Sequence, residues 1–358
     1  MQPQTLRRWA ALAVACTSLC ASAGAAAKIN RSFGSEPGSD RLVARCTDST
    51  THAVLACPDN AVIPQKLSDD IRAPYERGEF DQLEKTFAAW RGGGEQFADG
   101  TWALALYLQG LGGAMTTLTA DSEKLAKWKQ TQGNTEAAQL AEALMWYVHA
   151  RRVTGYSVHE PVSAEAKAIA RERLAKAGAL LAKLRPRMQD SPAFFELQIL
   201  VLVEQGLPAQ ARKVFNTAVK RFPQYQPMYS AMSRAYTGDA FAAFVDQSVR
   251  LTEKFEGRGA YARLYLLLDD AYHMHAQEKW PAPSWERLRE AYDDLVQRYP
   301  SSLGIVTSYA AVACRSDDSE LYRRLRTRAD AYLIADVFTV IPLEACDRHH
   351  GWTAAAPK

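Results

Sequence analysis

Cysteine is the residue type whose number and position suggest chemistry most directly in this 358-residue chain. Beyond residue 27 the cysteines are Cys46, Cys57, Cys314 and Cys346. An even number favours two disulfides in an oxidising compartment, with three pairings open. We favour Cys46–Cys57 and Cys314–Cys346, because each pair joins residues within one terminal segment. The spacing lacks the paired CxxC elements of a zinc framework, so no metal site is expected from the cysteines.

Histidines and carboxylates are present, but their spacing does not indicate a catalytic set. His273 and His275 point to different faces of a helix, whereas helical metal-binding pairs are spaced i, i+4. His349–His350 are expected to have surface or structural roles. The adjacent carboxylates Asp269–Asp270 diverge by about 100° on a helix, which indicates a solvated face. We therefore predict no catalytic residues, no metal and no cofactor, and favour a binding protein over an enzyme.

Residues 1–27 have the features of a secretory signal. Arg7 and Arg8 precede a short apolar run that ends near Val14, and small residues with A-x-A-like spacing follow. The apolar run is too short to span a bilayer, and no later stretch is long enough, so no transmembrane span is predicted. A partial lipoprotein box ends at Cys16 and leaves a lipid anchor there as an alternative. We expect a periplasmic or secreted protein.

The overall charge argues against nucleic acid as a partner. The formal net charge is +3, and loss of the two signal arginines leaves about +1. A nucleic-acid-binding surface needs a strong basic excess, which this composition does not supply.

Composition and periodicity divide the rest of the chain into four regions. Residues 28–67 are expected to form a flexible leader and a short hairpin stapled by a disulfide. Residues 68–190 form an N-terminal helical region, and residues 191–335 form a second helical region with repeat character. Residues 336–358 are expected to be a C-terminal tail.

Two serines are expected to begin helices in these regions. Ser163 precedes the longest helical stretch, and Ser191 precedes Pro192 in the same way. Serine side chains commonly accept hydrogen bonds from the first free N–H groups of a helix, and proline fits the first turn. Both serines are therefore predicted to be N-caps.

The clearest repeat signature lies in residues 206–229. Intervals of four, three and five residues separate Ala211, Phe215, Ala218 and Pro223. This pattern resembles the second helix of a tetratricopeptide repeat, in which small residues allow close helix approach, an aromatic fills the gap and proline ends the helix. The same intervals recur at Leu288, Tyr292, Leu295 and Pro300. The resemblance implies an all-α fold, an array of antiparallel helix pairs forming a tetratricopeptide-like solenoid behind the N-terminal hairpin.

A second resemblance covers roughly residues 75–270. The order of landmarks is similar to that in a proteobacterial domain-of-unknown-function family of exported helical proteins. The landmarks are Phe80-x-x-Leu83, Gly100-x-Trp102-x-Leu104, Trp128, residues 150–156 and residues 222–229. The chain departs from the family pattern after Tyr236, where Thr237-Gly238-Asp239 replaces a Trp-Gly turn. The resemblance implies export and a helical fold, and it names no activity.

The tetratricopeptide-like resemblance also implies where a partner binds. In such arrays the first helix of each pair lines a concave surface. Counting from Pro192 and including neighbouring positions gives these groove candidates: Arg152, Tyr156, Glu196, Tyr225, Tyr229, Ser230, Arg234 and Tyr261. A groove of arginine and tyrosine suits a peptide, a carboxylate or a protein segment.

These features predict an exported cell-envelope protein that binds a protein or peptide as a scaffold, assembly factor or inhibitor. One alternative is a periplasmic hydrolase that acts on cell-wall or glycan substrates. Such an enzyme needs a buried acid beside a base or a second acid, with Glu142, Glu196 and Asp269 as candidates. Another alternative is an immunity protein that neutralises a secreted toxin.

Overall fold

The computed structural model describes residues 46–48, 54–55, 64–92, 94–155, 162–272, 281–329, 332–334, 338 and 341–353. The expected signal peptide, the alternative lipid anchor at Cys16 and most of the leader lie outside these residues. Among the helices of the described part, none combines the length and apolar character that crossing a membrane requires.

Helices make up nearly all of the described chain, which confirms the all-α class. Fifteen helices are described. In chain order they are α1 Pro64–Arg77, α2 Phe80–Trp90, α3 Ala103–Ala114, α4 Leu118–Gln132, α5 Glu136–Thr154, α6 Ala164–Leu184, α7 Pro192–Glu204, α8 Pro208–Arg221, α9 Gln226–Ser233, α10 Gly238–Glu256, α11 Gly259–Tyr272, α12 Trp285–Arg298, α13 Leu303–Arg315, α14 Ser319–Arg328 and α15 Leu343–His349.

Capping explains the start of α6 but not the start of α7. Ser163 caps α6 as expected, because its Oγ accepts a hydrogen bond of 3.1 Å from the Ala166 N–H. Ser191 is the N-cap residue of α7, as expected, but its side chain makes no capping hydrogen bond. Its Oγ is buried and has no partner among the described residues. Pro192 defines the first turn of α7 instead, where its fixed backbone angle suits a helix and its missing N–H costs nothing.

The residues of the first repeat signature lie in the core. Ala211, Phe215 and Ala218 are on the buried face of α8. The Phe215 ring packs edge-on against Tyr229 and Phe244, with centroid distances of 5.3 and 5.5 Å. The small residues on either side of Phe215 let α8 pack against both α7 and α9.

The second copy of the signature packs by the same rule. Leu288, Tyr292 and Leu295 form part of the buried face of α12. The Tyr292 ring stacks on Tyr309 of α13 at a centroid distance of 4.8 Å. Helices that follow each other in the chain also pack together elsewhere, including α5 with α6, α10 with α11 and α13 with α14.

A small sheet combines residues from both ends of the described chain. Strand β1 (Cys46–Asp48) pairs antiparallel with β2 (Val54–Leu55), at the position of the expected hairpin. A third strand, β3 (Tyr332–Ile334), pairs antiparallel with β1 and was not expected. Cys57 lies outside the described residues, and with it the expected Cys46–Cys57 bridge.

The segment expected to be a tail contains α15 and is joined to the helical array. Cys314 and Cys346 form a disulfide with an S–S distance of 2.02 Å, which confirms that pairing. Asp347 accepts hydrogen bonds of 2.9 Å from the buried Arg326 guanidinium through both carboxylate oxygens. Helix α15 is thus linked covalently to α13 and by a buried ion pair to α14.

Candidate functional site

Three of the predicted groove residues meet where α7 faces the two ends of α9. Glu196 lies in the second turn of α7, Tyr225 precedes the first residue of α9, and Arg234 follows its last. The Tyr225 hydroxyl donates a hydrogen bond of 2.6 Å to Glu196 Oε2. Side chains from two helices therefore converge on one carboxyl group.

The end of α8 determines where Tyr225 lies. Helix α8 ends at Arg221, and the proline that follows Phe222 cannot continue it. The Tyr225 N–H then donates to the Phe222 carbonyl at 3.1 Å, which closes a tight turn. Tyr225 is fully buried as a result. The repeat signature therefore positions Tyr225, although the residues of the signature are not part of the site.

Burial changes the acid–base properties of this pair. Desolvation raises the pKa of Glu196 to about 7, against smaller opposing effects of the Tyr225 hydrogen bond and the Arg234 charge. Burial and the neighbouring carboxylate raise the pKa of Tyr225 well above its ordinary value. Near neutral pH the Glu196 carboxyl group is therefore partly ionised, while the Tyr225 hydroxyl stays protonated and remains a hydrogen-bond donor.

Arg234 brings a positive charge to the solvent side of the pair. Arg234 is exposed, and its Nη1 donates a hydrogen bond of 3.4 Å to the hydroxyl of Tyr147 on α5. Tyr147 is buried. Arg234 therefore adds a solvent-exposed positive charge close enough to Glu196 to oppose the rise in its pKa.

Trp102 contributes an indole N–H that has no acceptor within the described chain. Trp102 is the N-cap of α3, and its ring meets Tyr225 edge-on with centroids 5.4 Å apart. The residue is 7% exposed, and its Nε1 makes no hydrogen bond there. An unpaired buried donor costs about 1–3 kcal/mol. We call Trp102, Tyr147, Glu196, Tyr225 and Arg234 the Glu196 cluster.

Sequence reasoning missed two members of the Glu196 cluster. Trp102 entered only as a landmark of the family resemblance, and that landmark was the one signal that pointed to it. Tyr147 is spaced like a packing residue of α5, and it is indeed buried. Periodicity does not distinguish a packing tyrosine from one whose hydroxyl reaches a site.

The 94–102 loop lies beside the cluster and reaches helices much later in the chain. Its own hydrogen bonds, including Phe97 N–H to the Thr101 carbonyl at 2.8 Å, fold it into a tight turn. Gln96 Nε2 donates to Gln224 Oε1 at 3.0 Å. The Asp99 carbonyl accepts a hydrogen bond of 2.6 Å from Arg263 of α11. The surface next to Tyr225 therefore already binds one polypeptide segment of the same chain.

Arg263 is held in place by a buried carboxylate. Its Nε lies 2.9 Å from Glu256 Oε2, and the Glu256 side chain is 3% exposed. The Arg263 guanidinium also lies over the Tyr299 ring, 5.6 Å from its centroid. Gly100 passes the same ring with φ +80°, and a Cβ at that position would overlap the phenol. The loop is thus fixed by charge, by backbone hydrogen bonding and by close approach.

Two further groove candidates belong to α9 but do not join the cluster. Tyr229 is buried, and its hydroxyl donates to the Pro223 carbonyl at 2.7 Å. Ser230 Oγ donates within the helix to the Gln226 carbonyl at 3.4 Å. Both hydroxyls are satisfied by the backbone of their own repeat, which indicates a structural role.

The remaining candidates are distributed along the chain. Tyr261 is buried, and its hydroxyl accepts a hydrogen bond of 3.0 Å from the Ser284 N–H. Arg152 donates to the carbonyls of Met115 and Thr116 between α3 and α4. Tyr156 lies outside the described residues.

The other acids considered for catalysis do not form a comparable site. Glu142 makes an ion pair with Lys129, and the side chain of Asp269 lies outside the described residues. Asp121 and His149 are hydrogen-bonded at 2.7 Å, but their side chains are 0% and 5% exposed. That pair is enclosed in the core and leaves no opening for a substrate.

Comparisons with known proteins add no relative from which a role is transferred. No protein-family model, no curated protein and no solved structure matches the chain. The geometry of the Glu196 cluster is therefore the basis for assigning a function.

Proposed function

We propose that this chain is an exported cell-envelope protein that binds a segment of another protein at the Glu196 cluster. The observation that carries this proposal is the convergence of Glu196, Tyr225 and Arg234 beside Trp102, whose ring contacts Tyr225 and whose indole N–H has no acceptor within the described chain. A half-buried carboxyl group whose pKa is raised by desolvation and an unpaired buried donor both cost folding free energy. A ligand that pairs with these groups accounts for their presence.

The rest of the architecture supports a binding role. Successive helices pack as neighbours, and both copies of the repeat signature are buried. We propose that they form antiparallel pairs in a tetratricopeptide-like solenoid, an architecture whose extended surface suits peptide binding. The Cys314–Cys346 disulfide favours an oxidising compartment, which agrees with a secretory signal in residues 1–27 and a periplasmic or secreted location.

The chemistry of the cluster favours a ligand that supplies hydrogen-bond acceptors. Arg234 and Trp102 are donors only, so they suit a carboxylate and a backbone carbonyl, respectively. Glu196 repels a ligand carboxylate when it is ionised. Since its pKa is about 7, an acidic peptide is expected to bind more tightly at pH 6 than at pH 8.

Selection from a displayed library of random peptides tests this proposal. Enriched peptides are measured by fluorescence polarisation against wild type, Arg234→Glu and Arg250→Glu. Arg250 is an exposed residue of α10 and is the matched control for charge reversal. We expect acidic peptides that lose at least about tenfold affinity for Arg234→Glu and keep their affinity for Arg250→Glu. Equal binding to all three proteins would contradict the proposal.

Trp102→Phe separates ligand binding from packing. Phenylalanine keeps an aromatic ring against Tyr225 and removes the unpaired N–H. We expect the free protein to lose some stability because the ring is smaller, while the selected peptide loses about fivefold affinity, which corresponds to one hydrogen bond. If Trp102→Phe is less stable but binds the selected peptide as tightly as wild type, the indole serves packing alone, which contradicts its role in binding.

The hydrolase alternative has one observation in its favour, which is the raised pKa of Glu196. A carboxyl group that is partly protonated near pH 7 suits general acid catalysis. Its described contacts are a tyrosine hydroxyl and the charge of an arginine, whereas glycan hydrolysis commonly uses two carboxyl groups. Release of soluble fragments from cell-wall material by wild type, and not by Glu196→Gln, would favour the enzyme.

A further inference from the structure

A second polar site lies at the C-terminal end of the array, away from the Glu196 cluster. The turn between α13 and α14 carries Asp317, and the end of α15 carries His349 and His350. One ligand atom from each of these side chains lies within 4.8 Å of the other two. Two imidazoles and a carboxylate form the kind of ligand set that binds Zn²⁺.

The two histidines converge although they are adjacent in sequence. His349 is the last residue of α15, and His350 is its C-cap, outside the helix. The two rings meet edge-on with centroids 4.6 Å apart. Neighbours within a regular helix would diverge by about 100° instead. The expectation of surface or structural roles for His349 and His350 did not include this contact at the helix end.

His350 is held in the tautomer that a metal ligand needs. Its ring is buried, and Nε2 lies 3.3 Å from the Cys314 carbonyl oxygen. A carbonyl only accepts, so Nε2 carries the proton and Nδ1 presents its lone pair. Nδ1 accepts a hydrogen bond of 2.8 Å from the Ser319 hydroxyl, and an ion bound at Nδ1 replaces this hydrogen bond. A ligating histidine usually donates its other N–H to such a backbone carbonyl.

The other two ligands are hydrogen-bonded to each other and exposed to solvent, so an ion can insert between them. His349 Nε2 lies 2.8 Å from Asp317 Oδ1, and the side chains are 59% and 78% exposed. Asp317 has φ 59°, a conformation that few residues other than glycine adopt. This backbone directs its carboxylate toward α15. The disulfide joins Cys314 to Cys346, which lie three residues before Asp317 and His349, respectively. The ligands are therefore already held near each other, and binding of an ion costs little conformational entropy.

We infer that Asp317, His349 and His350 form a site for a divalent transition metal, with Zn²⁺ as the expected ion. The ligand atoms are His349 Nε2, His350 Nδ1 and an Asp317 carboxylate oxygen. Water completes the coordination. The ion forms a second cross-link between the α13–α14 turn and α15, beside the disulfide.

Titration calorimetry with ZnCl₂ on tag-free, oxidised protein tests the site. We expect one Zn²⁺ per chain with micromolar affinity, and at least about tenfold weaker binding by His349→Ala and by Asp317→Asn. His273→Ala/His275→Ala is the matched control, because it removes the other closely spaced histidines, and it is expected to bind as wild type does. His350 stays unchanged in these variants, since its buried ring packs against Tyr322.

A folding readout accompanies the titration. Zn²⁺ bound to the native state raises the melting temperature of wild type and of the control variant, but not that of His349→Ala. Circular dichroism of each variant confirms that it is folded. Absence of binding at about 100 μM Zn²⁺, or binding that His349→Ala leaves intact, would overturn the inference.

Discussion

Replacing Glu196 with glutamine is the most direct test of the electrostatics at the Glu196 cluster. Glutamine has nearly the same shape, and its carbonyl oxygen can accept the hydrogen bond from the Tyr225 hydroxyl. The exchange therefore removes the titrating proton and the charge while it keeps the main contact. Any pH-dependent difference in stability between the two proteins then reports the environment of this one carboxyl group.

The size and sign of that difference follow from the pKa of Glu196. Folding raises it from 4.5 to about 7, and one pKa unit corresponds to about 1.4 kcal/mol. The native state thus loses about 3 kcal/mol as pH rises from 4.5 to 7, because the buried group must give up its proton. Below pH 4.5 the carboxyl is neutral in both states, and above pH 7 the loss stays constant. Glutamine does not incur this loss.

Urea unfolding followed by circular dichroism at pH 4.5, 6, 7 and 8 measures this effect. The free energy of unfolding of Glu196→Gln should exceed that of wild type by an amount that grows by about 3 kcal/mol between pH 4.5 and 8. Glu253→Gln, at an exposed position of α10, is the matched control and should show no such growth. A difference that is constant with pH, or a variant that is less stable at pH 8, would refute the reasoning.

Three further substitutions test features that hold the fold together. Replacing Cys314 and Cys346 with serine opens a link between residues 32 apart. We expect a loss of about 3–4 kcal/mol in urea unfolding, and wild type in reducing agent should lose at least as much, because the expected Cys46–Cys57 bridge is reduced as well. Gly100→Ala should lower the free energy of unfolding by about 1–3 kcal/mol, since a Cβ there has no room and the backbone is left-handed; an unchanged melting curve contradicts this. Asp347→Asn leaves the fully buried Arg326 without its charge partner, and about 3–5 kcal/mol should be lost in urea unfolding, whereas a smaller loss at the exposed Asp81→Asn is the control.

The sequence was most informative where a short-range pattern has a packing cause. Ala211, Phe215 and Ala218 repeat because close helix contacts alternate with a filled gap, so their burial follows from spacing alone. The register counted from Pro192 predicts that Glu196 and Arg234 share one surface, and Tyr225 is a candidate because it lies beside the repeat signature. The structure brings Tyr225 into contact with Glu196. Tyr229 was also taken as a groove residue, but its ring fills the core, and spacing does not reveal the direction of a tyrosine hydroxyl.

Contacts between distant parts of the chain were beyond the sequence. Asp99 and Arg263 are 164 residues apart, and no sequence pattern around either residue identifies the other as its partner. The pairing of β3 with β1 is a further example, because three-residue strands have no pattern that identifies a partner. The convergence of Asp317 with His349 depends on a helix end and a left-handed residue, which sequence spacing does not specify.

The 94–102 loop has a consequence for how the molecule unfolds and how such a protein can evolve. In a simple repeat array each unit contacts only its neighbours, so units melt, or are gained and lost, one at a time. Here a segment from the first helices is anchored by Arg263 and passes closely over Tyr299 in the later ones. Forming this contact requires the closure of a long loop, which slows folding. Among the described helices, loss or duplication of a repeat between the 94–102 loop and α11 would therefore disrupt the contact between Asp99 and Arg263.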